Sequence, residues 1–102
     1  MKPKYSELDG FEKGTLLIKT LDLRHDLPNT VLNPTKDIAD AFKVVDAMTA
    51  EGWRVEIENE GEGWDVSFRR IGRYMEWGFA VANTRLPEAI CEAALRAKGV
   101  VE

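Results

Sequence analysis

The chain has 102 residues, 44% apolar and 31% charged, with 14 basic against 18 acidic groups and a net charge of −4. A chain of this length is expected to form one domain, residues 1–102, burying roughly 60–70% of its unfolded surface without disulfides or a metal. The composition excludes a disordered chain, a collagen-like repeat and a disulfide-knotted toxin, and the acidic balance argues against binding long nucleic acid.

No apolar run approaches the ~18 residues of a membrane span, so no membrane partner is expected. The leading stretch MKPKYSELDGFEKG lacks the apolar centre of a signal peptide. A single cysteine makes no internal disulfide, and the cytoplasm is the expected compartment.

The first elements along the chain are weakly marked. Ser6 can cap a helix over about Ser6–Ile18 through Leu8 and Phe11, although Gly10 and Gly14 each weaken it by about 1 kcal/mol. Leu16 to Leu23 fits a continued helix or a strand, and Arg24–Asn33 reads as a polar connection. A strong helix then follows from Pro34 to about Glu51. Ile38, Ala41, Phe42, Val45 and Met48 recur at three- and four-residue steps, forming one stripe. Asn33 or Thr35 can cap it, Asp37 and Asp40 lie at its positive end, and Gly52 follows its last turn.

Here the period changes from 3.6 to 2. Trp53, Val55 and Ile57 alternate with Arg54, Glu56 and Glu58; Trp64, Val66 and Phe68 alternate with Asp65, Ser67 and Arg69. Met75, Trp77, Phe79 and Val81 alternate with Tyr74, Glu76, Gly78 and Ala80. Each segment reads as a strand with one apolar face. Gly61-Glu62-Gly63 and Ile71-Gly72-Arg73 are the connecting turns, and such short links favour an antiparallel meander. A last helix runs from Thr84 or Leu86 to Lys98, with Pro87 in its first turn and Gly99 after its end. Leu86, Ile90, Ala94 and Ala97 form its stripe, with Cys91 and Leu95 beside it. The expected fold class is therefore α+β, a three-stranded antiparallel meander packed by helices.

Few groups here suit catalysis. His25 is the only histidine, Cys91 sits beside an apolar stripe, and Ser6 and Ser67 are the only serines. No nucleophile elbow, zinc spacing or phosphate-binding glycine loop occurs, so neither enzyme chemistry, metal nor cofactor is expected. The three tryptophans suggest an aromatic ligand cage, but their parity places each with Val, Ile, Phe or Met on the inward face.

The opposite, mixed sheet face is the candidate contact surface. Its plainest use is as a solvated face with cross-strand ion pairs. The alternatives are the N-terminal helix, a ligand or a second subunit. Arg69, Arg70 and Arg73 gather near one turn, where guanidinium forks suit phosphate or carboxylate, while glutamates crowd the neighbouring hairpin and can balance them. Arg54, Arg69, Arg73 and Tyr74 are the candidate ligand-binding residues: arginine for phosphate, tyrosine for stacking on a base.

The motifs Pro34-Thr35-Lys36-Asp37, Ala41-Phe42, Gly52-Trp53 and the run Thr84 to Leu95 give residues 33–98 a family likeness. This stretch resembles the phage ABA sandwich domain of small phage and prophage proteins. The resemblance implies an α/β/α sandwich made by a phage-encoded chain in the host cytoplasm. It supplies capping and packing residues and no functional ones. The expected function is that of a non-enzymatic phage accessory protein acting by binding. Its expected partner is a phosphate-bearing, nucleotide-derived small molecule, sequestered to counter host defence, by analogy with other small phage proteins. The alternative is a homo-oligomeric interaction or structural module with no small-molecule ligand.

Overall fold

The first two helices begin where the sequence offers their unpaired amides a polar partner. A computed structural model describes residues 2–21, 23, 34–71 and 76–102. After a short 3-10 turn at Tyr5–Glu7, helix α1 spans Gly10–Leu21. Asp9 and Glu12 form a reciprocal box: the Glu12 amide donates to Asp9 Oδ1 at 2.7 Å and the Asp9 amide donates to Glu12 Oε1 at 3.2 Å. The expected start at Ser6 is therefore displaced. The capping box outweighs the glycines, and the helix runs one turn past Ile18.

Helix α2 spans Ile38–Ala50, later than expected, because its cap is Asp37. Asp37 Oδ1 accepts from the Ala39 and Asp40 amides at 2.8 and 3.2 Å. Pro34–Lys36 form a preceding turn instead, and the alternative cap Asn33 lies outside the described residues. The buried stripe is Ala41, Val44, Val45 and Met48, whereas Ile38 and Phe42 are exposed. The helix is thus rotated from the expected stripe. Helix α3 spans Leu86–Ala97 with Pro87 in its first turn. The Asn83 side chain accepts from the Arg85 amide at 3.0 Å. Gly52 and Gly99, which follow α2 and α3, have φ of +96° and +73°, where a Cβ would be strained.

Strand β1 (Arg54–Glu60) pairs antiparallel with β2 (Gly63–Ile71), and β2 with β3 (Glu76–Asn83), in the order β1-β2-β3. The fold is therefore mixed α+β with antiparallel pairing, as the period switch predicts. On β1 and β2 the inward pairs are Val55 with Phe68 and Ile57 with Val66, and buried Val81 stands at the register position beside Val66. Phe68 and Val66 are fully buried, as are six of the twelve residues of α3 (Leu86–Ala97).

Helix α3 is the centre of the molecule. It packs on β2 and β3, lies beside α2 and also meets α1. Ala89, Ile90, Cys91, Ala93, Ala94 and Leu95 are all buried, an arc far wider than the single stripe read from the sequence. The residues on this arc explain how it can be covered from several sides, because four of the six are alanine or cysteine. The segment before α1 closes over α3 too. Tyr5 is buried, and the Glu102 amide donates to Pro3 O at 2.9 Å. Of the tryptophans, Trp53 is buried as expected and Trp64 is half-buried.

Asp37→Ala should destabilise the protein by about 1 kcal/mol in urea melts, the usual loss for a helix cap. Asp9→Ala should lose a similar amount, with the m-value unchanged in both variants. A wild-type midpoint in either would contradict the assigned caps.

Candidate functional site

The mixed sheet face is built by strand parity. Arg54 stands opposite Arg69, Glu56 opposite Ser67, and Glu58 opposite Asp65. On the other side of β2, Gly78, Ala80 and Ala82 occupy the register positions beside Arg69, Ser67 and Asp65. The face is thus three cross-strand rows, graded from two arginines at one end to two carboxylates at the other.

Arg54, Glu56, Glu58 and Arg69 are exposed, while Asp65 and Ser67 are half-buried. The N-terminal helix does not cover these residues, since α1 packs on α2 and α3. Arg69 Nη2 lies 3.9 Å from Glu56 Oε2. At that distance between two half-exposed groups, solvent screens most of the attraction.

The structure brings two of the four predicted residues together, Arg54 and Arg69. Arg73 and Tyr74 lie outside the described residues. The expected cluster of Arg69 with Arg70 is divided, because consecutive strand residues point to opposite faces. The Arg70 guanidinium instead lies over the Trp53 ring, 5.9 Å from its centroid, on the inward side of the sheet. That separation is near the outer limit for a cation–π contact.

The Phage ABA sandwich domain family model matches residues 14–95. The chain belongs to the phage ABA sandwich domain family. The match extends the likeness read at residues 33–98 into α1, beginning at Gly14. Comparison with the curated proteins and with the solved structures returns no match. Among the described residues of this phage ABA sandwich chain, no helix is long and apolar enough to cross a membrane.

A second polar cluster escaped sequence reading. The Tyr5 hydroxyl donates to Glu88 Oε2, Lys13 Nζ lies 3.5 Å from the same oxygen, and the Lys13 ammonium sits 4.2 Å from the Tyr5 ring centroid. These groups come from the N-terminal turn, α1 and α3, so only the tertiary fold assembles them. Burial, followed by the Glu88 hydrogen bond, raises the Tyr5 pKa well above its ordinary range. Burial also raises the Cys91 pKa, with the Glu88 charge adding to it. Cys91 is thus held as a neutral thiol, the opposite of an activated nucleophile. The cluster fastens the N-terminal segment to α3.

Beside it, a cleft of about 250 Å³ is lined by Lys4, Tyr5, Ser6, Glu92, Arg96 and Glu102. None of the predicted ligand residues borders it. Its charges are largely matched, with Arg96 Nη2 3.0 Å from Glu92 Oε2.

Tyr5→Phe should cost about 1.5–3 kcal/mol through loss of a hydrogen bond to a charged acceptor. The raised pKa values also set a sign. Above the ordinary thiol and phenol values of about 8.5 and 10, the unfolded chain releases protons that the folded chain keeps. Stability in urea should therefore fall as the pH rises above about 8.5, and Tyr5→Phe should flatten the decline beyond about pH 10. Rapid modification of Cys91 by a thiol reagent in the native protein at pH 8 would contradict this burial.

Proposed function

We propose that this chain is a non-enzymatic phage accessory protein that acts in the host cytoplasm by binding through its mixed sheet face. Arg54 and Arg69 are the residues that meet the ligand, a phosphate-bearing, nucleotide-derived small molecule whose sequestration counters host defence. The observation that carries this reading is the direct cross-strand pairing of two exposed arginines. Like charges directly opposite on a sheet cost a few tenths of a kcal/mol, and an anion held between two guanidinium forks reverses that cost.

Gly78 at the register position beside Arg69 supports the same reading. A residue without a Cβ lets a ligand lie close to the backbone there. The α/β/α layering that the family's name describes leaves this face for a covering layer. In our reading the ligand occupies part of that layer.

Protein purified from infected cells should carry an additional small-molecule mass in native mass spectrometry. A panel of cyclic and linear nucleotides should raise the melting temperature of the purified chain. Arg54→Ala and Arg69→Ala should each weaken that binding roughly tenfold or more, the loss expected for a charge-assisted hydrogen bond. Arg70→Ala, on the other face, should leave it unchanged. A clean apo mass together with no thermal shift across the panel would overturn the proposal.

A further inference from the structure

The graded rows have a symmetry that a ligand-binding role alone does not require. Along β1 the outward residues read Arg54, Glu56, Glu58, and along β2, in the opposite direction, Arg69, Ser67, Asp65. The central row, Glu56–Ser67–Ala80, lies midway between the basic and acidic rows. A half-turn about an axis along that row lays the face on a second copy with β1 over β1 and β2 over β2. The two ends exchange. Arg54 then meets the partner's Glu58, and Arg69 meets the partner's Asp65.

We infer that the mixed sheet face is a docking surface for a second copy of this chain, paired face to face about the Glu56–Ser67–Ala80 row. This deepens the reading of that face as the binding surface and names its occupant when no anion is bound. Charge complementarity selects the arrangement. A half-turn about an axis along the strands would stack arginine on arginine, so only the row axis brings opposite charges together. Facing sheets lie about 10 Å apart, a gap that an arginine and a carboxylate side chain can bridge from opposite sides. On β3, the register partners of Arg69, Ser67 and Asp65 are the small residues Gly78, Ala80 and Ala82.

The size of the face sets the strength. Three strands spaced about 4.8 Å apart, over five residues rising about 3.4 Å each, form a patch about 15 Å on a side. That is well below the ~800 Å² per partner of a standard stable interface. The pairing is therefore weak, rapidly exchanging and salt-sensitive. It contains one opposed contact: Glu56 lies on the axis and faces the partner's Glu56. An anion seated at Arg54 and Arg69 competes with the partner's Glu58 and Asp65, so binding the proposed ligand loosens the pair.

The test is sedimentation equilibrium of the purified chain without phosphate, at low salt and concentrations up to several hundred micromolar. Wild type should show a reversible monomer–dimer equilibrium that weakens at least tenfold in 0.5 M sodium chloride. The double variants Glu58→Arg/Asp65→Arg and Arg54→Glu/Arg69→Glu should each be monomeric alone and should associate when mixed, because all four arginine or carboxylate positions then meet an opposite charge and only Glu56 still faces Glu56. Glu56→Gln should tighten the wild-type pair several-fold, an outcome that loss of folding cannot imitate. A monomeric wild type, a charge-reversed variant that self-associates like wild type, failure of the mixture to associate, or no tightening in Glu56→Gln would each overturn the inference. No arm contains a phosphate compound, so these outcomes are independent of whether the proposed ligand binds.

Discussion

The structure depends on one helix being covered from several sides. Helix α3 meets the sheet, α2 and α1, while Tyr5 reaches its Glu88 from the N-terminal turn. Burying Ile90 and Leu95 supplies apolar area, and Ala89, Ala93 and Ala94 let neighbouring backbones come close. Because α1 is used to cover α3, it does not cover Arg54, Glu56, Glu58 or Arg69. The exposed charged rows are thus a consequence of how the core is closed.

The same constraint separates two kinds of polar group. Tyr5, Glu88 and Lys13 lie in a partly buried cluster where each has a partner, and their neighbour Cys91 is a neutral, buried thiol. These groups hold elements together. Arg54, Arg69, Glu56 and Glu58 remain in water, where their mutual attractions contribute little to stability. Their arrangement in opposed rows matters for what approaches the sheet, because an incoming charge displaces water from an already ordered strand surface.

The sequence was most informative where the physical signal is local. The switch from a 3.6 to a 2.0 period located the strands, and parity alone put Arg54 and Arg69 on one face and Val66 and Phe68 on the other. The helix starts were less legible, since Asn33, Thr35 and Asp37 are all competent caps and tertiary packing decides among them. The D-G-F-E capping box at Asp9–Glu12 is a local signal, but Gly10 and Gly14 lower the helix propensity around it. The Ile38 and Phe42 placements were misread because several rotations of α2 present an apolar stripe. The contact of Tyr5 with Glu88 joins residues 83 positions apart, beyond any local pattern. Strand parity also divided Arg69 from Arg70, which adjacency in sequence had grouped together.

The fold and the proposed function rest on one arrangement, in which the N-terminal segment covers α3 and leaves the mixed sheet face open. It is tested most directly by thiol-labelling rates of single cysteines on a Cys91→Ala background, in dilute protein at high salt where copies do not associate. Arg54→Cys and Glu58→Cys should label at the rate of an unfolded control, while Leu17→Cys should label only through unfolding, at a rate that follows urea concentration. Strong protection of Arg54→Cys and Glu58→Cys, with rapid labelling of Leu17→Cys, would place α1 over the sheet and contradict the account.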